Sequence, residues 1–136
     1  MSAARTILEP GACLVIGVTT LPSFIKRSIC VAFTPGYPPS IDLVRMNLEG
    51  KELGHLRCFD DLFPSLRSAL DATRSGVPFT SDTRGRSTVI RVSANRGSIL
   101  ISTLALDLVP RGGVSVLRGE ELDLLAEALV IASYRS

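Results

Sequence analysis

Residues 86–134 decide the fold, and they read RSTVIRVSANRGSILISTLALDLVPRGGVSVLRGEELDLLAEALVIASY. Arg86–Ser93 is an extended segment that runs into a turn at 94–97, and a second extended segment, Ser98–Leu106, follows. We place the next turn at Pro110–Gly113 because it combines proline with two glycines. Extended segments rich in Val, Ile and Thr, separated by such turns, predict hairpins of antiparallel strands.

An apolar helix is expected to follow these strands, beginning with the acidic pair Glu120 and Glu121. Its main apolar face would carry Leu122, Leu125, Ala126 and Leu129. Leu124, Ala128 and Ile131 extend the apolar surface beyond that face. A helix that is apolar on more than one side is usually buried on more than one side. We therefore predict that the chain forms a homodimer or a higher homo-oligomer.

The first half of the chain predicts four strands. We expect strands at Cys13–Thr19 and Phe24–Thr34, and a hairpin formed by Ile41–Leu48 and Glu52–Cys58. Residues 34–40 contain three prolines and are expected to form a loop, because proline cannot donate to a strand ladder.

A helix is expected after these strands, with Asp60 or Asp61 as its N-cap and Pro64 in its first turn. Its apolar stripe would be Leu62, Leu66, Ala69 and Leu70. We expect it to end at 74–76, and we interpret 77–87 as a turn-rich link between the two halves of the chain.

Together these elements predict an α+β fold made of tandem antiparallel ββββα units, with one curved sheet or two sheets backed by two helices. We interpret residues 1–136 as a single domain, within which 11–75 and 77–136 are candidate pseudo-repeats. The two expected helices support the repeat, because both begin with acidic residues, share a leucine spacing and close on Ala-Leu.

Composition limits the classes of function. The longest apolar run, residues 11–18, is far shorter than the ~20 residues that span a membrane. The N-terminus lacks the pattern of a signal peptide, so we expect a cytoplasmic protein without a membrane partner. Three scattered cysteines, Cys13, Cys30 and Cys58, favour reduced thiols over a disulfide framework or a zinc site. We expect no metal and no other cofactor.

Arginine dominates the basic residues of the chain. Its formal net charge is +2, and thirteen of its fifteen cationic side chains are Arg. Arginine binds phosphate through a planar fork of donors, which favours a nucleic-acid partner. Biased base composition of the genome would produce the same preference, and both explanations remain open.

The stretch from Thr88 to Leu129 resembles the conserved core of the positive-cofactor-four family of transcriptional coactivators. The matching features are Gly97 with Ile99 and Ile101, the run PRGGVSV from Pro110, and the acidic helix start at Glu120. Two such units in one chain resemble the Whirly and Pur families. This resemblance implies an oligomer that binds single-stranded nucleic acid across the face of its strands.

Candidate contacts to a nucleic acid are cations and exposed rings. The cations are Lys26, Arg27, Arg84, Arg86, Arg91, Arg96 and Arg111. Residues 84–96 hold four of these arginines and no acid, and Arg91 interrupts an apolar strand in an outward register. Phe79 and Tyr37, which we expect in loops, are the candidate stacking residues. A solvated, charged sheet face that prevents edge pairing is the alternative interpretation.

No catalytic residue is predicted. His55 is the only histidine, and in a strand it would face away from Cys58, three residues on. We therefore predict a non-enzymatic protein that binds single-stranded nucleic acid through a basic antiparallel sheet face. The alternative is a protein–protein interaction or structural assembly module that uses the same sheet and helices. A small enzyme with a pocket between sheet and helix is a third, weaker interpretation.

Overall fold

The computed structural model describes residues 6–7, 14–20, 27–47, 49 and 51–135. The chain is an α+β protein with two antiparallel sheets and two helices, so the expected fold class is confirmed. The first sheet contains β1 (Thr6–Ile7), β2 (Leu14–Thr20), β3 (Arg27–Thr34), β4 (Ser40–Asn47) and β5 (Glu52–Phe59). Helix α1 (Phe63–Ser75) follows. The second sheet contains β6 (Phe79–Arg84), β7 (Thr88–Asn95), β8 (Ser98–Ala105) and β9 (Pro110–Arg118), and α2 (Glu120–Arg135) follows it.

The first sheet has its strands in sequence order, β1 to β5. Its buried face is set by alternation: Val31 pairs with Leu43 and Phe33 pairs with Ile41, and all four side chains are buried. The opposite face carries Asp42, which pairs with Arg57 of β5. This arrangement leaves β5 as an edge strand.

The second sheet also follows sequence order, β6 to β9, and α1 packs against β6, β7 and β8. The expected apolar stripe of α1 is confirmed, because Leu62, Leu66, Ala69 and Leu70 are all buried. Pro64 lies in the first turn, and Gly76 closes the helix with φ 73°, a left-handed conformation that glycine adopts readily.

The predicted N-cap of α1 is wrong. The cap residue is Leu62, which makes no side-chain cap hydrogen bond, and Asp60 and Asp61 lie in a 3₁₀ turn before it. This tight turn moves the helix start past both aspartates, so their carboxylates are out of place for capping.

Two other local predictions are corrected in the second sheet. Residues 79–84, expected within a link, form strand β6, because they pair with β7 over six residues. The turn expected at Pro110–Gly113 lies earlier, at Leu106–Val109, and Pro110 already begins β9. In both cases pairing with a neighbouring strand overrides a local preference for turns.

The chain divides into two compact units, and each helix belongs with the sheet that it does not follow in sequence. One unit holds β1–β5 together with the chain from Asp123 onward, and the other holds residues 61–122. Helix α1 therefore belongs with β6–β9, whereas most of α2 belongs with β1–β5. These units divide the chain differently from the proposed pseudo-repeats, whose common origin stays a prediction.

Helix α2 has one buried stripe and one exposed face. Leu125, Ala128 and Ala132 are almost completely buried, at 1% or less. Val130 and Tyr134 on the other side are exposed. The apolar residues of α2 are thus divided between a core stripe and a smaller exposed set.

Candidate nucleic-acid interface

The second sheet has two different faces, and α1 covers one of them. Ser65 of α1 shares a hydrogen bond of 3.0 Å with Ser81 of β6, and Ser81 pairs with the buried Val92. This helix-packed face continues through Ile101 of β8. The neighbouring residues along each strand point the other way and form the opposite face.

We call that opposite face the outer face, and one row of paired residues defines it. Asp82 of β6 pairs with Arg91 of β7, Arg91 with Ser102 of β8, and Ser102 with Val114 of β9. Asp82 and Val114 are exposed, and Arg91 and Ser102 are half-buried. The next row is Thr80, Ser93, Leu100 and Val116, which is also half-buried to exposed. These two rows combine hydroxyl side chains with an acid, an arginine and three apolar residues, Leu100, Val114 and Val116.

The central cation of the outer face is ion-paired. Arg91 donates from Nε to Oδ1 of Asp82 at 2.7 Å and from Nη2 to Oδ2 at 2.9 Å. The hydrogen bond from Arg91 lowers the pKa of Asp82, and the same bond raises the pKa of Arg91. Residues 84–96 contain no acid, but the antiparallel register brings Asp82 directly opposite Arg91. The charge that sequence reasoning assigned to Arg91 is therefore neutralised.

Five other arginines surround this pair, and all five are exposed: Arg84, Arg86, Arg96, Arg111 and Arg118. Arg84 has the parity of the outer face, but it lies at the end of the sheet where Val89 and Leu104, which share that parity, are buried. Arg86 and Arg96 lie in turns, and Arg111 lies at the start of β9. Within the part of the chain that the structure describes, none of the five has a carboxylate within salt-bridge distance. Arg118 was missed by sequence reasoning. Arg118 pairs with Ser98 of β8. Ser98 lies on the same face of β8 as Leu100 and Ser102, so Arg118 also lies on the outer face.

The remaining predicted contacts do not gather with these arginines. Phe79 is the first residue of β6, not a loop residue, and its pairing with buried Ala94 places it on the helix-packed face. Tyr37 is fully exposed in the loop between β3 and β4, which belongs to the other compact unit. Lys26 lies outside the described residues, and for Arg27 only the backbone, at the start of β3, is described.

A second polar cluster lies on the first sheet, and sequence reasoning missed it. The Asp42 carboxylate is almost buried and accepts hydrogen bonds from Arg57 Nε at 3.0 Å and Nη2 at 3.1 Å. Thr34 Oγ1 and Ser40 Oγ also donate to it, at 2.9 Å and 3.3 Å. The only signal in the sequence is strand alternation, which places Thr34 of β3 and Ser40 and Asp42 of β4 on the same face of the sheet.

The environment of Asp42 favours its charged form. Burial raises the pKa of Asp42, but hydrogen bonds from Arg57 and Thr34 outweigh burial and hold that pKa below its ordinary value of 3.8. His55 Nε2 lies 3.8 Å from Oδ2 of Asp42 on the same face. Cys58 is buried on the opposite face, as the strand parity predicts. The cluster is thus a buried carboxylate paired with a half-exposed guanidinium, next to an exposed imidazole.

Within the described ranges, no three His, Cys, Asp or Glu side chains are grouped as metal ligands. The same ranges contain no helix with the length and apolar character needed to cross a bilayer. Comparison of the chain with family models, with curated proteins and with solved structures finds no match. The resemblance of residues 88–129 to single-strand-binding families accordingly stays a prediction.

Proposed function

We propose that this chain is a non-enzymatic protein that binds single-stranded nucleic acid on the outer face of the second sheet. The observation that carries the proposal is the placement of exposed arginines around the part of the outer face that is half-buried to exposed, the rows of Asp82 and Thr80. Arg84 and Arg118 lie on that face at opposite ends of the sheet, and Arg86, Arg96 and Arg111 lie in the adjoining turns and strand end. Asp82, the one carboxylate among the described residues of that face, is already bound to Arg91.

The chemistry of this face favours contacts to phosphate rather than to bases. Arginine supplies bidentate donors to phosphate oxygens, and Ser93, Ser98 and Ser102 supply hydroxyl groups between them. No aromatic side chain lies on the outer face among the described residues, so base stacking contributes little. Binding by such a surface depends strongly on salt and weakly on sequence.

The first experiment is a titration of fluorescent single-stranded oligonucleotides at several salt concentrations. Contacts to five phosphates would give a slope of log affinity against log salt of about −3.5, since each contact on a single strand contributes about −0.7. Similar affinities are expected for DNA and RNA oligomers of unrelated sequence, because the contacts are to the backbone. Absence of binding at low salt would contradict the proposal.

A pair of matched double variants locates the interface. R96A/R118A removes two exposed cations from the end of the sheet that carries the β7–β8 turn, and the slope should fall by about 1.4. R67A/R74A removes two cations from the exposed side of α1, on the other side of the same sheet. The α1 variant should bind as the unaltered chain does. Equal losses in both variants would indicate nonspecific attraction to net charge and not a defined face.

A protein–protein interaction or assembly module is the second candidate, and two observations favour it. The ion pair between Asp82 and Arg91 removes the central cation, and Val130 and Tyr134 expose apolar surface on α2. The proposal includes self-association as a homodimer or higher oligomer and a cytoplasmic location. Light scattering tests the first, with V130S/Y134S expected to lower the measured mass, and cell fractionation tests the second.

A further inference from the structure

The turn between β8 and β9 presents apolar side chains to solvent at one end of the second sheet. We call residues Leu106–Val109 the apolar turn. Leu106, Leu108 and Val109 are 41%, 47% and 55% exposed, and the fourth residue is Asp107. Scattered exposed apolar residues are ordinary on protein surfaces, but here three of them lie within one four-residue turn.

This turn is ordered by its own hydrogen bonds. Ala105 N–H donates to the carbonyl of Val109 at 2.8 Å, and Leu108 N–H donates to the carbonyl of Ala105 at 2.8 Å. Asp107 Oδ1 accepts from Val109 N–H at 3.2 Å, so the one acidic side chain is engaged within the turn. The apolar side chains are therefore held on a fixed backbone at the tip of a hairpin.

Leu108 has an unfavourable backbone conformation in addition to its exposure. Its φ is 70°, and it is the one non-glycine residue with positive φ among those described. The corresponding position of a three-residue hairpin loop with a bulge is normally glycine. The same chain has glycine at its other left-handed positions, including Gly97 in the β7–β8 turn. A leucine that is both strained and exposed points to a role outside the fold.

Three arginines lie at the same end of the sheet as the apolar turn. Gly85 N–H donates to the carbonyl of Thr88 and closes the β6–β7 turn, which contains Arg86. Thr88 pairs with Ala105, the residue that closes the apolar turn, so the two turns are neighbours. Arg84 ends β6, and Arg111 follows Pro110 at the start of β9. The tip thus combines three apolar side chains with three exposed cations.

We propose that this tip docks on the surface of a bilayer that contains anionic lipids. The apolar side chains would enter the boundary between headgroups and acyl chains, and Arg84, Arg86 and Arg111 would contact the headgroups. A single hairpin turn offers much less than the roughly 800 Å² per partner of a standard protein interface. A polynucleotide supplies negative charge but no apolar layer for leucine. A bilayer supplies both. The absence of a membrane partner was expected from the lack of a segment that could span a bilayer, and docking on a surface does not require such a segment.

The test is flotation of the full chain with vesicles of phosphatidylcholine, with and without phosphatidylserine. We expect flotation only with phosphatidylserine, and R84A/R86A/R111A should remove it. L108G should reduce the bound fraction about tenfold, because an apolar side chain leaves the interface. Glycine suits φ 70°, so L108G keeps the fold, and its melting temperature should not fall. V109S should weaken binding as well.

The matched control is V77S. Val77 is 56% exposed, about as much as Val109, but it lies before β6 at the other end of the sheet. V77S should float like the unaltered chain. Undiminished flotation of L108G, equal flotation with neutral vesicles, or no flotation at low salt would each overturn the proposal; the last outcome would favour a protein partner for the turn. Arg84, Arg86 and Arg111 belong to both proposed surfaces, so L108G is the variant that distinguishes them: its oligonucleotide affinity should be unchanged. A loss of that affinity would make the leucine a nucleic-acid contact and also overturn docking.

Discussion

Replacement of Asp42 by asparagine would disrupt the partly buried ion pair of the first sheet without changing the size of the side chain. Each carboxylate oxygen accepts from one nitrogen of Arg57: Oδ1 from Nε and Oδ2 from Nη2. Ser40 and Thr34 donate to the same two oxygens. An asparagine has one oxygen and one NH₂ group, so in either orientation an NH₂ group faces an Arg57 donor.

The expected loss of stability follows from these contacts. One hydrogen bond from Arg57 to a carboxylate oxygen is replaced by two N–H donors that face each other. The remaining hydrogen bonds lose the negative charge that strengthens them. Little water can compensate, because Asp42 is only 5% exposed. Breaking a fully buried pair costs about 3–5 kcal/mol, but the Arg57 side chain is 48% exposed and regains contact with water. We therefore expect D42N to lower the free energy of unfolding by about 2 kcal/mol. For a chain of this size that corresponds to a fall in Tm of about 6–10 °C.

Thermal melts followed by circular dichroism would measure this loss, with D82N as the matched control. Asp82 makes the same two-pronged contact with an arginine, but both side chains of that pair are 35% exposed. D82N should therefore leave Tm almost unchanged, because exposed ion pairs contribute little. A Tm for D42N within 2 °C of that of D82N would refute the role of burial.

The pH dependence gives an independent check. The pKa of Asp42 is lower in the folded chain than its ordinary value of 3.8. The folded state therefore binds this proton less readily than the unfolded state, and the contribution of Asp42 to stability is complete above about pH 4. It disappears as pH falls through the lowered pKa. The difference between D42N and the unaltered chain should stay constant from neutral pH to about pH 4 and close below it. Closure between pH 7 and 5 would contradict the lowered pKa.

Three further predictions concern the second sheet. D82N should release the Arg91 guanidinium and remove a negative charge, so oligonucleotide binding should tighten and its salt slope should steepen by about 0.7; an unchanged titration would exclude the outer face. L108G should raise Tm by about 3 °C, because a left-handed leucine costs about 1 kcal/mol, and a lowered Tm in the same melts would contradict that strain. Leu66→Ala, which empties a fully buried position of α1, should lower the unfolding free energy by about 3 kcal/mol in urea titrations, whereas Ser68→Ala on the exposed side should not.

Most secondary structure could be predicted because its signal is local. The extended segments of β7 and β8, the turn between them and the leucine spacing of α1 and α2 all agree with the structure. Strand β6 could not be found in this way. Its sequence, Phe79–Arg84, is rich in Ser and Thr, and it becomes a strand by pairing with β7.

The candidate site could be predicted only in part. Arg84, Arg96 and the outward register of Arg91 follow from composition and strand parity. The partner of Arg91 does not, because Asp82 lies nine residues away and reaches it through a strand that the sequence did not reveal. For the same reason the sequence could not indicate that Phe79 would lie on the helix-packed face.

The amino-acid sequence by itself determined the α+β class, most of the strands and the two helices with their apolar stripes, because side-chain pattern and turn chemistry act over a few residues. Only the tertiary structure decided which sheet each helix joins, which carboxylate neutralises which arginine, and which end of the second sheet combines Leu108 with exposed arginines. These outcomes depend on contacts between residues distant in sequence, where the net free energy of packing and pairing selects one partner among several with similar local character.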